Sequence, residues 1–277
     1  MNKTSTIKYH AFKDDAPLKD AFKVVEIGAY QKFHKEEVIH RHSFFELQFV
    51  WEGHGEQDID FKKYTIVNNH LFFIQPNQVH KANKAVLKNA DIIIFKQEYL
   101  GFLANIDILE PSYRVSSHCF RLSAQHVSLL KKYLYLLKKE YQTDMEQITM
   151  QGLMLSLIGR IGNILNQSSE YPTSLDPRTD QFLKLIEEDY KHYHTANYYA
   201  DKLNLSVKHL NNIISKEMGK TASALIRDRI TLEIKRLLSY TSKNHKEIAY
   251  ELGFKDPYYM SHFFKNQTGV RPSAFKG

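Results

Sequence analysis

The chain has 277 residues, of which 43% are hydrophobic and 25% are charged, so its composition predicts globular domains and excludes a disordered chain. Its length suits one large domain or two ordinary ones. The formal net charge of +7 is concentrated towards the C-terminus. Residues 178–277 hold 17 Lys and Arg against 11 Asp and Glu, whereas residues 1–177 hold 21 against 20. This excess is typical of a phosphate-binding domain, although charge alone fits a merely soluble surface equally well.

A single cysteine, Cys119, excludes an intramolecular disulfide and favours a reducing compartment. The residues that follow Met1 are polar and contain no apolar signal core. The apolar stretch Leu153–Leu165 is interrupted by Arg160 and Asn163, which makes it too polar to span a bilayer. These features lead us to expect a cytoplasmic protein with no membrane segment.

The region from residue 20 to residue 100 has the pattern of many short strands. Val38–Trp51 is rich in aromatic and β-branched residues, and it is followed by short apolar runs such as Leu71–Ile74 and Ile92–Phe95. Segments rich in Gly, Asn and Pro separate these runs at a spacing of roughly ten residues, which predicts a β-sandwich or barrel.

The hydrophobic period becomes helical after this region. From Ser123 to Tyr141 the apolar residues recur every three or four positions, which predicts a helix. A second predicted helix, Met145–Leu165, is apolar on more than one stripe. Such a helix is either sandwiched inside its own domain or buried against a partner chain, and both alternatives stay open. The polar segment Asn166–Ser174 contains a proline and predicts a linker.

The C-terminal region contains one short pattern twice. Ala200 and Ala249 occupy the same place in the two copies and lie 49 residues apart, while Gly219 and Gly269 lie 50 residues apart. The copies therefore match apart from one extra residue in the second turn. A short helix with a buried alanine, a tight turn and a capped second helix form a helix-turn-helix. Two such units in tandem favour a protein that grips two successive turns of a DNA major groove.

The segment between the two copies, Thr221–Tyr240, predicts one long helix with an apolar face. A helix of about 19 residues is roughly 28 Å long. Equivalent groove faces one DNA turn apart are separated by roughly 34 Å. The connector therefore has a suitable length for setting two recognition helices in adjacent segments of the groove.

The second helix of each unit is expected to enter the groove with its exposed residues facing the bases. The two recognition helices begin after Ser206 and Asp256, which are both good N-cap residues. Asparagine can pair with adenine, and lysine can reach guanine or phosphate, although the same residues also suit an ordinary solvated surface. The outward-facing candidates are Lys208, Asn211, Asn212 and Lys216 in the first helix and Tyr258, Ser261, His262 and Lys265 in the second.

The segments Ile248–Lys265 and Thr268–Ser273 resemble the signature of AraC-type transcription regulators, and the first unit and the connecting helix also fit that family. The resemblance implies that the two units read adjacent major grooves of double-stranded DNA. It also implies an N-terminal cupin-like domain that binds an effector or dimerises, and contact with RNA polymerase. The base-contacting positions of the family fall on Lys208, Asn211, Asn212, Pro257, Tyr258, Ser261 and His262. Pro257 departs from the family pattern because it has no side-chain donor.

Two segments of the β region, His40–Gly53 and Gln75–His80, resemble the two motifs of cupin barrels. Asn77 replaces the usual turn glycine, and asparagine tolerates the left-handed conformation that such a turn needs. Alternate residues of a strand share one face, so we expect His40, His42 and Glu46 to project together, with His80 joining from another strand. In metal-binding cupins the corresponding four residues hold a divalent ion, and imidazole and carboxylate ligands suit Zn, Fe, Ni or Mn.

The occupant of this group of residues is open among three alternatives: a small organic ligand, a metal ion, or nothing at all. Many members of the family bind organic effectors without a metal. We therefore assign His40, His42, Glu46 and His80 to effector binding and expect no cofactor. Four neighbouring aromatic residues either stack on a ligand or belong to the core, and they are Phe45, Phe49, Trp51 and Phe73.

Together these features predict an α+β protein of two domains. Residues 1–168 form a cupin-like β-barrel followed by helices, for effector binding or dimerisation. Residues 178–277 form an all-α domain with two helix-turn-helix units. The predicted function is sequence-specific regulation of transcription, in which a small-molecule effector favours one arrangement of the DNA-binding domains. The expected partners are DNA, RNA polymerase and the effector, and a homodimer is an alternative that stays open.

Two other classes of protein compete with this interpretation. A metal-dependent cupin enzyme is supported only by the four potential ligands, and an architectural DNA binder would discriminate little between sequences. The chain contains no P-loop, no Rossmann glycine pattern and no nucleophile elbow, so we assign no catalytic residue.

Overall fold

A computed structural model describes residues 6–11, 21–25, 27–28, 30, 39–96, 98–99, 118–143, 147–166 and 176–275. The chain divides into two compact units, one of residues 8–173 and one of residues 174–277 together with residues 1–7. A sheet-rich first unit followed by a helical second unit confirms the predicted α+β architecture. The predicted linker lies outside the described residues except for Asn166. The predicted domain limits, 1–168 and 178–277, stay predictions.

Within the described residues the first unit contains eight strands. They are β1 (Lys8–His10), β2 (Phe22–Val25), β3 (His40–His42), β4 (Phe45–Ile59), β5 (Lys62–Ile66), β6 (His70–Ile74), β7 (His80–Phe95) and β8 (Cys119–Arg121). They form one sheet in the order β1-β3-β7-β4-β6-β8, in which β2 pairs with β7 and β5 pairs with β4. Apart from the parallel pair of β1 and β3, these pairs are antiparallel.

Two of the strands are much longer than the sequence pattern predicts. β4 has 15 residues and β7 has 16. The register between them shifts at three places between Val50 and Glu56, and such bulges bend a strand. The first part of β4 can therefore pair with β6 while its second part pairs with β5. Gly53 and Gly55, which suggested a break between two strands, lie at these bends within β4.

The sheet buries a core on each of its faces. Leu47 and Phe49 point into a core shared with two helices, α1 (Ala124–Tyr141) and α2 (Gln147–Asn166). Val50 and Phe72 belong to the core on the opposite face, because successive residues of a strand alternate. Coverage on both faces explains why the run Leu71–Ile74 is continuously apolar.

The core beside the helices contains the aromatic residues near the predicted ligand site and most of the apolar residues of α2. All four aromatic residues that neighbour the predicted ligand site lie in this core, so the core interpretation is confirmed. Six apolar residues of α2 are buried in the same core, against the sheet and α1, whereas Ile148 is 73% exposed. Most of the apolar surface of this helix is therefore sandwiched within its own unit, and contact with a partner chain stays a prediction. Its buried residues are Met150, Met154, Leu157, Ile158, Ile161 and Ile164.

The second unit contains six helices within residues 176–275. They are α3 (Pro177–Asp189), α4 (Ala196–Lys202), α5 (Val207–Met218), α6 (Ala222–Tyr240), α7 (His245–Glu251) and α8 (Pro257–Thr268), followed by a 3₁₀ turn, Pro272–Ala274. The long connecting helix is confirmed as α6, which has 19 residues and is capped by the Thr221 side chain. Ile226, Ile230 and Ile234 of α6 are fully buried, so this helix lies at the centre of the unit. Among the described helices none is both long and apolar enough to cross a membrane.

Candidate DNA-reading surface and candidate ligand site

Each predicted helix-turn-helix consists of a short helix, a tight turn and a longer recognition helix. The first unit is α4 and α5, and the second is α7 and α8. Four residues separate α4 from α5 and five separate α7 from α8, as the offset of the two sequence copies predicts. Leu210 and Ile214 are buried in α5, and Met260 and Phe264 are buried at the matching positions of α8.

Each turn contains one residue in the left-handed region. Asn204 has a φ of 55° in the first turn, and Gly253 has a φ of 70° in the second. Besides its left-handed φ, Gly253 has a steric constraint, because a Cβ at this position would lie 2.3 Å from the carbonyl oxygen of Lys191. The second turn therefore packs directly on the backbone that follows α3, at a distance that only glycine allows.

Both recognition helices are capped at both ends. The Ser206 Oγ accepts a hydrogen bond from the N–H of His209 at 3.1 Å. The Asp256 carboxylate accepts from the N–H groups of Tyr258 and Tyr259 at 2.8 and 3.0 Å. Each helix has 12 residues and ends at a left-handed glycine. These caps satisfy helix-end backbone groups and define where each recognition helix begins and ends.

The recognition helices expose most of the predicted DNA-contacting residues. The exposed ones are Lys208, Asn212 and Lys216 in α5 and Tyr258, His262 and Lys265 in α8. The half-buried ones are Asn211, Pro257 and Ser261. In α8 the rings of Tyr258 and His262 lie 6.5 Å apart between centroids, and Tyr258 is 74% exposed. Each helix therefore presents a face with polar or aromatic groups opposite its buried pair.

The Asn211 side chain is engaged within the protein. Its Oδ1 accepts a hydrogen bond from the backbone N–H of Ala222, the first residue of α6, at 3.0 Å. The equivalent positions of the second unit are Ser261 and Pro272, and proline has no N–H to donate. Asn211 therefore connects the end of the first helix-turn-helix to the connecting helix, a role that the sequence pattern did not reveal.

A buried ionic network attaches α6 to α3. The Arg229 guanidinium donates to Glu187 at 2.8 and 2.9 Å and to Glu233 at 3.1 Å, and Arg236 donates to the same Glu233 oxygen at 3.0 Å. Burial disfavours the charged guanidinium, but Glu187, Tyr190 and Glu233 raise the pKa of Arg229 well above its ordinary value. Arg229 therefore stays charged in the core of the domain.

In the first unit, the structure brings the four predicted ligand residues together. We call His40, His42, Glu46 and His80 the histidine cluster; each of its members is at most 4% exposed. His40 of β3 is paired with His80 of β7, and their ring centroids are 4.1 Å apart. The ring of His42 lies 4.8 Å from that of His80, and the Nε2 of His42 is 3.2 Å from the Oε2 of Glu46.

Three of these residues converge more closely than the fourth. His42, Glu46 and His80 each offer one ligand atom, and these atoms lie within 4.8 Å of one another. A set of two imidazoles and one carboxylate suits a first-row transition metal. His40 packs its ring beside this group but is not a member of the converging set.

The orientation of the His80 ring is determined by a backbone contact. Its Nδ1 lies 3.1 Å from the carbonyl oxygen of Gln78, so this nitrogen donates and the Nε2 keeps its lone pair. Among the described residues the Nε2 is buried and has no hydrogen-bond partner. Burial, together with the neighbouring His40 and His42, lowers the pKa of His80 well below its ordinary value, so the ring is neutral at pH 7.

A second group of residues, which the sequence interpretation missed, supports Glu46. The Nε2 of Gln48 donates to the Oε1 of Glu46 at 2.7 Å and to the Tyr30 hydroxyl at 2.7 Å. Burial, and then the Glu46 carboxylate, raise the pKa of Tyr30 well above its ordinary value. Gln48 could have been found, since it shares a strand face with Glu46, whereas nothing local points to Tyr30.

The turn before β7 has the predicted conformation. Asn77 has a φ of 63°, so an asparagine does occupy the left-handed position where cupins usually have glycine. Its N–H donates to the carbonyl oxygen of His42 at 2.7 Å. This bond ties the turn to the strand that carries two members of the histidine cluster.

Comparisons with known proteins match both units. Residues 199–277 match the family model described as a helix-turn-helix domain, and residues 24–87 match the one described as an AraC-like ligand binding domain. Among curated proteins, the chain is similar to the HTH-type transcriptional activator RhaR of Shigella dysenteriae. The two are 25% identical over 249 residues, which cover 86% of each chain.

The solved structures also include two matches of low overlap. The C-terminal domain of the response regulator yesN from Fusobacterium nucleatum is 25% identical, covers 37% of this chain and 100% of its own, and has a TM-score of 0.35. ToxT from Vibrio cholerae with a bound unsaturated fatty acid is 15% identical, covers 83% of this chain and 85% of its own, and has a TM-score of 0.39.

Proposed function

The chain belongs to the AraC-type transcription regulators, and from this premise we propose that its two recognition helices read adjacent turns of one operator under the control of a ligand in the sheet domain. The family consists of DNA-binding regulators and not of enzymes, so the interpretation as a cupin enzyme is set aside. The proposed DNA contacts are the exposed positions of α5 and α8 together with Pro257 and Ser261.

The observation that carries this proposal is the matched pair of recognition helices. α5 and α8 have equal length, equivalent caps and equivalent buried pairs, and each exposes the opposite face. They are connected through α6, whose 19 residues span roughly 28 Å. Recognition helices that read one DNA duplex must lie about one helical turn apart, and a rigid buried connector of this length supports that spacing.

Sequence discrimination is the property to measure first. Operator sequences would be selected from random DNA with the full chain, and affinities for the selected and random duplexes would be compared by fluorescence anisotropy at one salt concentration. A specific regulator should prefer its operator by ~10³-fold or more. Nearly equal affinities for the two duplexes would contradict the proposal and favour an architectural DNA binder.

Two neighbouring asparagines provide a matched test of base reading. Asn212→Ala should remove about 1–3 kcal/mol of discrimination, because an exposed carboxamide can pair with an adenine edge. Its stability should not change. Asn211→Ala should instead lower stability by about 1 kcal/mol, as the loss of a helix cap does, and weaken binding to both DNAs alike. His262→Ala should resemble Asn212→Ala.

The readouts are anisotropy with both duplexes and thermal unfolding of each variant. Equal losses on both DNAs for Asn212→Ala would show that this residue does not read bases. An operator-selective loss for Asn211→Ala would mean that it is a reader and that its bond to α6 is replaceable.

Ligand control is the second part of the proposal. The histidine cluster is buried, and within the described residues the Nε2 of its His80 has no hydrogen-bond partner. These features support a ligand site in the domain that matches a ligand-binding family. A ligand regulates DNA binding only if it has different affinities for the two arrangements of the domains. A ligand that saturates the site and changes neither operator affinity nor transcription would contradict this part.

Three further features follow from the family and from the relative named as an activator. We propose that the chain activates transcription, that it does so by contacting RNA polymerase, and that it works in the cytoplasm, where a lone cysteine stays reduced. We also propose that two copies associate on DNA. Sedimentation that detects only monomers at micromolar concentration, with and without operator DNA, would contradict the association.

A further inference from the structure

The histidine cluster brings together more ligand atoms than the contact between His42 and Glu46 alone. The contact between His42 and Glu46 would by itself give a buried pair of side chains. His80 adds a third ligand atom within 4.8 Å of the other two, in a position where its Nε2 has no hydrogen-bond partner within the described chain. A buried polar atom that lacks a partner costs about 1–3 kcal/mol, a cost that a bound ion or water would offset.

We propose that His42, Glu46 and His80 form a binding site for a divalent first-row transition-metal ion, and that this ion is the effector of the regulator. The metal site is argued from its geometry alone, whereas the role of the ion as effector rests on the proposed function. Three protein ligands leave coordination positions open for water.

The first argument is the orientation of the donors. A histidine that ligates a metal usually donates its other ring N–H to a carbonyl or carboxylate, which fixes the tautomer. His80 has this arrangement, because its Nδ1 donates to the Gln78 carbonyl oxygen, which leaves the buried Nε2 as the ring nitrogen that can ligate an ion. Glu46 has the corresponding support, because Gln48 holds one of its oxygens and leaves the other beside His42.

The second argument is distance. Bonds of about 2.1 Å from one ion to nitrogen and oxygen ligands place those ligands about 3–4 Å apart. The observed donors lie within 4.8 Å of one another, and His42 and Glu46 are already 3.2 Å apart. The observed separations are therefore close to those that a single ion requires.

The third argument is the position of four aromatic side chains that an organic ligand could otherwise stack on. The aromatic residues Phe45, Phe49, Trp51 and Phe73 point to the opposite face of the sheet, where helices α1 and α2 cover them. They are therefore not available to stack on a ring beside the histidine cluster. The Phe44 ring does lie beside the cluster, but it is already stacked on the His42 ring, with the centroids 4.1 Å apart. The two imidazoles and the carboxylate form a donor set that matches a metal ion of intermediate softness.

The test uses the full chain without an affinity tag, stripped with a chelator and titrated with Co²⁺ as a spectroscopic probe. We expect one Co²⁺ per chain with visible d–d absorption, displacement by Zn²⁺, and a rise in the melting temperature of the metal-free protein. Glu46→Gln and His80→Gln should abolish the absorption. Gln48→Ala, which leaves the ligands in place, should weaken binding by about 10–100-fold.

His54→Ala is the matched control, because His54 is an exposed histidine on the same sheet but is not a member of the histidine cluster. This variant should bind Co²⁺ as the unaltered chain does. The fluorescence of Trp51, the single tryptophan, verifies that each variant folds. Absence of stoichiometric Co²⁺, or binding that survives in both ligand variants, would overturn the metal site.

A last comparison separates this inference from the proposed function. Operator affinity would be measured with the metal-free and the metal-loaded chain, and we expect at least about a 5-fold difference, as for a typical allosteric coupling. Equal affinities would overturn the role of the ion as effector. If the chain fails to bind metal but still prefers its operator by ~10³-fold, only the metal inference is wrong and the DNA-binding function stands.

Discussion

Gly253→Ala is expected to destabilise the DNA-binding unit by about 3–5 kcal/mol, which is among the largest effects of a single substitution. A left-handed φ of 70° alone costs an alanine about 1–2 kcal/mol. The larger part arises because the new Cβ would lie 2.3 Å from the carbonyl oxygen of Lys191. Neither group is the end of a flexible side chain, so the backbone of the turn must move. Since the turn positions α8, operator binding should be lost as well.

Gly219→Ala is the matched control for this prediction. Gly219 has a φ of 64°, but a Cβ there meets nothing within 4 Å. It should therefore lose only about 1–2 kcal/mol, the conformational cost that both substitutions share. Urea unfolding followed by far-ultraviolet circular dichroism measures the helical unit, while the fluorescence of Trp51 in the first unit serves as an internal reference. Equal losses for the two variants would mean that the turn relaxes and that the contact with Lys191 is unimportant.

The second large effect is expected for Glu233→Ala. Glu233 is 1% exposed and accepts hydrogen bonds from Arg229 and Arg236, which are themselves buried. Removal of the carboxylate leaves two guanidinium groups in the core with one fewer counter-charge. Breaking a buried ionic network by removing one partner costs about 3–5 kcal/mol. Glu187 still faces Arg229, so one counter-charge of the network remains in the variant.

Asp228→Ala is the matched control, because it removes an exposed carboxylate from the same helix. The comparison distinguishes the effect of losing a buried charge from the effect of losing any negative charge. Asp228 pairs with Lys220 at 2.7 Å, and the two side chains are 45% and 57% exposed. An exposed pair contributes about 0–1 kcal/mol, so this variant should unfold almost as the unaltered chain does. Similar losses for Glu233→Ala and Asp228→Ala would show that the network is not specially important for stability.

Much of the DNA-binding unit was predictable from sequence because its signals are local. Helix caps, turn residues and apolar periods act over four or fewer residues, so Ser206, Asp256 and the two closing glycines reveal both units without a structure. The repetition of the pattern strengthens each local signal. In the same way, strand alternation places His40 and His42 on one face, and asparagine at position 77 fits a left-handed turn.

The rest depends on contacts between residues that are distant in sequence. A local pattern cannot show that Asn211 bonds to the first residue of α6, or that the backbone beyond α3 excludes a side chain at Gly253. The sequence predicted several short strands where bulges join them into β4 and β7, because a polar residue marks a bend and a loop equally well.

The sequence by itself determined the family, the tandem recognition helices and the four residues of the histidine cluster, since each is encoded by spacing along one or two elements. Only the tertiary structure decided which of those four converge, which way the His80 ring faces, and that Gln48 and Tyr30 hold Glu46. It also decided that the aromatic neighbours lie in the other core. The physical reason is that the direction and partners of a buried side chain are set by the elements packed around it, and packing is not local in sequence.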